Sequence, residues 1–316
     1  MIDNKTRLLK IPVIGFLTKI SDKIKVPGLK GMSLYDLLEM YFIGIVRGAV
    51  TSRAGSIAFS FFMALFPFVI FVFTLIPFIP IENFQEDLLM LVENALPPNT
   101  ADSVDYVIKD IANNTYGGLL SSVFLLSILL MTNGVNALFS GFEYTYHKIK
   151  TRNVITQYIA ALYTSIIMAL LLLLTVAIIF YFEIGIGKLK ANGFVSNDIY
   201  WIGFGKNIIL LLMLLVGVSI LYFFGTKEGR KINFLSPGAI FTTVLIIINF
   251  ILFGIYVSKF AKYNELYGII GTVLILMLFI WLNSIILLLG YELNTCMIGL
   301  RNKSATNKDD KLNNYN

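Results

Sequence analysis

The sequence predicts an all-α integral membrane protein, a bundle of six transmembrane helices with both termini on the cytoplasmic side. Three observations predict it. First, 57% of the 316 residues are hydrophobic and only 14% are charged, with a mean hydropathy of +0.79. Soluble domains carry about 45–50% apolar and about 25% charged residues. Second, the apolar residues fall in blocks of about 20 or more, the length that crosses a hydrocarbon core of ~30 Å as a helix. Third, charge alternates between loops. The N-terminal segment, the second and fourth loops and the C-terminal tail hold 19 of the 25 Lys and Arg against 8 acids, whereas the intervening loops hold 5 Lys and 10 acids. Excess Lys and Arg marks the cytoplasmic face. A water-soluble enzyme, a disordered chain and a disulfide scaffold are excluded. Cys296 is the single Cys and His147 the single His, so neither an internal disulfide nor a His-based zinc site can form. No metal and no cofactor are expected.

Residues 1–32 form a basic cytoplasmic arm, with a short apolar stretch at Ile11–Leu17 but no small-residue cleavage site of the kind that follows a secretory signal. From Ser33 the pattern becomes helical. Leu34, Leu37, Leu38, Tyr41, Phe42, Ile45, Val46 and Ala49 share one face, Ser33 is placed to cap it, and Asp36 sits in the first turn. Two readings stand for this amphipathic segment: an interfacial helix under the bundle, or a helix packed on cytoplasmic loops.

The membrane domain, residues 33–300, carries its spans at roughly 55–80, 117–140, 156–182, 199–224, 234–258 and 268–298. Helices are required because backbone groups in lipid must be satisfied within the segment, and runs such as Leu170–Leu174 lack the alternation of a β-barrel strand. The 81–116 segment is the one sizeable extracytoplasmic piece. Its apolar spacing predicts a short helical pair broken at Pro97 and Pro98, and its scattered acids read as a solvated face rather than a calcium loop. Residues 301–316 form a polar cytoplasmic tail. The basic pI of about 9.2 is accounted for by this topology and by attraction to anionic inner-leaflet lipids, so no nucleic-acid partner is expected.

Polar side chains inside spans are costly and become the candidate site. At ~1.5 Å per residue, Asn133 lies about 24 Å from the start of its span and Glu292 about 36 Å from the start of its own. Arg53, Asn133, Asn136, Glu292 and Asn294 therefore fall in one layer near the cytoplasmic boundary, with Arg53 a candidate partner for Glu292. The layer is either the inner mouth of a pathway or a set of snorkelling and interhelical contacts. Asn249 is near mid-membrane and is expected to bond a neighbouring helix. Lys206 is expected to snorkel outward, and Pro67 to kink the first span. Gly44 and Gly48 have the spacing of a helix-dimer motif but precede the first span.

Several of these residues carry a resemblance. Arg53-Ala54-Gly55-Ser56-Ile57-Ala58-Phe59-Ser60-Phe61 with Ala64-Leu65-Phe66-Pro67 resembles the first-span signature of the YihY/virulence factor BrkB family. Asn133-Gly134-Val135 with Tyr144 and Tyr146, Ser236-Pro237-Gly238-Ala239, Tyr256 through Phe260 with Tyr263, Tyr267, Gly268 and Gly271, and Gly290-Tyr291-Glu292-Leu293-Asn294 are similar to later motifs in the same order. Tyr291 stands where a small residue is usual. The resemblance covers roughly residues 34–300 and implies a bacterial inner-membrane protein of six helices without a settled activity. Some members have been labelled a tRNA-processing ribonuclease. With one His, isolated cytoplasmic acids and no phosphate-binding loop, this sequence argues against a metal nuclease or an ATP-driven pump. The leading expectation is a non-enzymatic transporter or lipid/amphiphile translocase. The alternative is a non-transporting membrane component for envelope assembly.

Overall fold

The structure is a computed structural model that describes residues 21–22, 25, 33–75, 120–145, 151–191, 199–231, 233–259 and 269–313. The extracytoplasmic pair expected over 81–116 and most of the 1–32 arm lie outside these residues. The described part is all-helical: α1 Leu34–Arg47, α2 Val50–Leu75, α3 Leu120–Glu143, α4 Val154–Ala191, α5 Ile199–Gly225, a 3-10 turn at Gly229–Lys231, α6 Pro237–Lys259 and α7 Ile269–Asn313. Five of these helices are long and apolar enough to cross a membrane. At the first predicted span, the Val50–Phe68 part of α2 passes that test together with α1, as a pair bent by 61°.

The local causes are readable. Ser33 caps α1 and receives the Asp36 backbone N–H at 3.3 Å, while the Asp36 carboxylate receives the Ser33 N–H at 3.0 Å. This reciprocal box satisfies two otherwise orphan donors. Gly48 ends the helix by donating to Gly44 O at 2.8 Å, and Ala49 takes a φ of +49° before α2 begins. The bend therefore falls at Gly48–Ala49, ahead of the expected kink; Pro67 itself lies inside α2. The Gly44/Gly48 spacing serves this turn. At α6, Ser236 caps by accepting the Ala239 N–H at 3.1 Å, and Pro237 occupies the first helical position, where its missing N–H costs no hydrogen bond. Helix α7 runs to Asn313, well beyond its predicted span and into the polar tail.

Helices α2 to α7 pack in chain order, and α7 closes onto α2, so the six long helices form a ring. The largest core cluster joins all of them at one end: Ala54 and Ile57 of α2, Phe139 and Phe142 of α3, Ala161 of α4, Tyr222 of α5, Ala239 of α6, and Leu288 and Tyr291 of α7. By chain direction this is the end at which α2, α4 and α6 begin and α3 and α5 finish, with the middle of α7 passing through it. The other end holds smaller clusters among the described residues, such as Phe253, Val257 and Ile275.

The amphipathic prediction for α1 is right in kind and different in detail. Leu37 and Met40 bury against Cys296 and Leu300 of α7, while Leu38, Phe42 and Val46, expected on the same face, stay exposed. Tyr35, Met40 and Gly44 are buried without having been assigned to that face.

Candidate functional site

At the joint between α1 and α2, the chain turns around a charged pair. Arg53 Nη2 lies 3.3 Å from Glu292 Oε1, and the two side chains are 9% and 1% exposed. The guanidinium's other arm, Nη1, donates to Gly141 O at 2.9 Å and Tyr144 O at 3.0 Å, where α3 ends. Thr145 Oγ1 donates to Glu292 Oε2 at 2.5 Å. One carboxylate thus ties α7, α2 and the end of α3 together, with Arg53 supplying the fork geometry that a Lys cannot. A Cβ on Gly48 would lie 3.1 Å from both Arg53 Nη2 and Glu292 Oε1, so the helix break is moulded onto the pair.

Beside the pair sits a buried aromatic and hydroxyl layer. The Phe142 ring stacks on Tyr291 with centroids 4.4 Å apart and meets Tyr222 edge-on at 5.6 Å. Tyr222 Oη donates to Leu287 O at 2.8 Å and lies 2.5 Å from Thr242 Oγ1, while Tyr291 Oη lies 2.5 Å from Thr226 Oγ1. Buried hydroxyls in an apolar bundle need such partners, and these join α5 to α6 and α7. Tyr291, the departure from the family pattern, is therefore accommodated by Thr226 and Phe142.

Of the five residues placed in the polar layer by sequence, only Arg53 and Glu292 meet. Asn294 points away from Glu292: its Oδ1 accepts the Gly238 N–H at 2.9 Å and its Nδ2 donates to Ser236 at 2.8 Å, fixing the start of α6. Asn136 accepts from Gln157 of α4 at 3.1 Å. Asn133 is exposed and stands apart from the pair, while its neighbour Gly134 is packed against Ala64 of α2. Asn294 shares the level of Glu292 but faces another helix, whereas Asn133 lies at a different level, beside a glycine packed on Ala64, which is about 16 Å along α2 from Arg53. Lys206 does not snorkel alone; it pairs with Glu183 of α4. Asn249 does not bond a neighbouring helix: its Nδ2 is buried with no hydrogen-bond partner among the described residues.

Sequence reasoning missed two contributors. Thr145 follows α3 in a short polar stretch and carries no motif. Arg152, in the loop before α4, donates to Phe224 O at 2.6 Å and Thr226 O at 2.8 Å, and its backbone N–H meets the Glu143 carboxylate at 3.0 Å. It thereby supplies positive charge and donors to the carbonyl end of α5. Burial lowers its pKa from the usual arginine value, and the nearby Glu143 carboxylate opposes that shift.

The profile of the virulence factor BrkB family matches residues 44–313. The chain belongs to this family. Both members of the Arg53–Glu292 pair, Thr145 and the aromatic layer fall inside the matched region. Among relatives, a Bacillus subtilis protein named as ribonuclease-like, YfkH, is 30% identical over 249 residues, covering 78% of this chain and 89% of that protein. A UPF0761 membrane protein of Alteromonas mediterranea is 25% identical over 288 residues, covering 88% and 94%. A UPF0761 membrane protein of Coxiella burnetii is 23% identical over 245 residues, covering 75% and 84%. No solved structure matches. The chain is therefore a membrane protein of the BrkB/UPF0761 family, all-helical in its described part.

Proposed function

We propose that the chain is a transporter or lipid/amphiphile translocase of a bacterial plasma membrane, with six spans, both termini in the cytoplasm, and the Arg53–Glu292 joint as its cytoplasmic-side gate. The observation that carries this is the buried carboxylate of Glu292, 1% exposed, held by a cation from another helix at the point where the first helical pair breaks. Withdrawing both charges from water costs several kcal/mol per ion, which their attraction only partly repays. A closed arrangement balanced in this way needs little to open, as alternating access requires. The ring supports the reading: all six long helices contribute to one core cluster at this end, and the excess of Lys and Arg in the adjoining loops favours a cytoplasmic position for it.

In this scheme the first helical pair moves about Gly48–Ala49 when the pair separates, opening the cytoplasmic end between α2, α3 and α7. Anionic inner-leaflet lipids would surround this end. The ribonuclease-like name of the relative YfkH is not carried over: of the acids nearest the joint, Glu143 receives the Arg152 N–H and Glu292 is held by Arg53 and Thr145. The test is purified protein in liposomes containing a fluorescent phospholipid, with external dithionite reporting movement between leaflets. Faster loss of inner-leaflet signal than in empty liposomes, altered by Glu292→Gln and by Arg53→Gln, is expected. Movement that matches empty liposomes would overturn lipid translocation and turn attention to a non-transporting assembly role. Movement unchanged by either variant would remove the pair from the gate.

A further inference from the structure

We propose that α1 is an interfacial helix whose outward face is seated in the headgroup and acyl boundary of an anionic lipid leaflet. The motivation is the division of its circumference into three arcs. Taking about 100° per residue, the buried residues Leu37, Met40 and Gly44 span one arc of about 60°, and Leu37 and Met40 pack on α7. Asp36, Glu39 and Arg47 span a second arc of about 80° that also contains Ile43; Arg47 is exposed there and the other three are half-buried. Leu38, Phe42 and Val46 follow one another at i, i+4 positions along the remaining side, 38%, 61% and 78% exposed, C-terminal to Tyr35, which shares that side in the first turn and is buried. A helix packed only on soluble loops has no reason to leave three large apolar side chains in a row facing outward. A helix lying in an interface needs this division, with protein on one side, water on another and acyl chains on the third.

Two further observations identify the occupant as lipid rather than a second copy. The 61° bend tilts α1 strongly away from α2, so if α2 runs along the membrane normal, α1 lies closer to the membrane plane than to that normal. Basic residues stand at both ends of the apolar stripe. Exposed Lys25 is bridged through its backbone to Ser33 at the N-terminal end, and exposed Arg47 closes the C-terminal end. Cations flanking an apolar stripe match anionic headgroups above acyl chains, whereas a symmetric self-contact would set like charges against one another.

The test is spin labelling of the full chain in vesicles with an anionic lipid fraction. Cys296 is the only Cys and is fully buried, so single-Cys variants Leu38→Cys, Phe42→Cys, Val46→Cys and Arg47→Cys can be labelled with Cys296 in place, or in a Cys296→Ala background. Relaxation by oxygen, which concentrates in lipid, is compared with relaxation by a water-soluble nickel chelate. The oxygen-to-nickel ratio is expected to be several-fold higher at Leu38, Phe42 and Val46 than at Arg47. Equal, nickel-dominated values at all four positions would overturn the proposal, as would dipolar broadening between labels at Phe42, which would mean a second copy covers the face. In wholly zwitterionic vesicles the Phe42 label is expected to sit shallower, and unchanged depth would overturn the headgroup assignment.

Discussion

Glu292 and Arg53 lend themselves to a double-mutant cycle whose outcome follows from the geometry. Replacing Glu292 by Gln leaves the guanidinium with its bonds to Gly141 O and Tyr144 O but without the carboxylate 3.3 Å away. Replacing Arg53 by Gln leaves a carboxylate that is 1% exposed with Thr145 as its remaining neutral donor. Stranding one charge of a buried pair costs about 3–5 kcal/mol, so each single variant is expected near that range, with Arg53→Gln the more severe. The double variant strands no charge, and its two amides can bond each other and Thr145. Its cost is expected to fall short of the sum of the singles by about 2–3 kcal/mol, where distant sites add to within about 0.5 kcal/mol. Equilibrium unfolding in mixed micelles, titrated with denaturing detergent and followed by helical circular dichroism, measures all four corners. Additivity within about 0.5 kcal/mol would refute the idea that the pair acts as a unit.

Three other outcomes follow from the packing. At Gly290 a Cβ would overlap Thr242 Oγ1 and come within 2.8 Å of Gly238 O, so Gly290→Ala is expected to cost about 1–3 kcal/mol in the same unfolding titration. Gly254, in α6 with nothing within 4 Å of its Cβ position, is the control: Gly254→Ala is expected to be neutral or to stabilise by up to about 1 kcal/mol. Arg152→Ala is expected to cost about 2 kcal/mol through loss of its bonds to Phe224 O and Thr226 O, and Arg152→Lys should recover less than half, since one ammonium cannot reproduce the fork; proteolysis rates of the α5–α6 connection give a second measure. Tyr222→Phe removes the hydroxyl that joins Thr242 to Leu287 O and is expected to cost about 1–2 kcal/mol, read by thermal unfolding.

Five span positions were legible because a bilayer imposes a length on apolar sequence that few other structures require. The α1 start was legible because Ser33 and Asp36 are three apart and both polar ends of the box are encoded locally. The polar layer was half legible for a specific reason. Counting rise along the axis correctly brought Arg53 and Glu292 to one level, but residues two apart on a helix point about 200° apart. Glu292 and Asn294 therefore face different neighbours, α2 on one side and the start of α6 on the other. The bend at Gly48–Ala49 left a fainter trace. Alanine carries no signal for the left-handed region, and it adopts a φ of +49° only because the folded surroundings hold it there. Arg152 was invisible for the opposite reason: its carbonyl partners lie 72 and 74 residues away in sequence.

The distribution of close approaches also bears on why one end is sealed. Between α6 and α7, Gly238 and Gly290 face each other so closely that a Cβ on either would meet the partner's backbone oxygen. Asn294 then reaches the Gly238 N–H, Tyr222 reaches Thr242, and Phe142 fills the space between Tyr222 and Tyr291. In an apolar solvent the hydrophobic effect does not press helices together, so small residues and satisfied polar contacts decide where they touch. Among the described residues many of both are gathered at this end, together with the Arg53–Glu292 pair, while the Lys206–Glu183 pair joins α4 to α5 toward the other. The outward sides of α4 and α6 carry Leu170, Leu174, Val244, Ile248 and Ile251, all exposed and none with a polar contact to offer a neighbouring helix. Such apolar surface is suited to lipid. Among these contacts the ion pair at the α1–α2 joint is the one that joins a helix break to the ring.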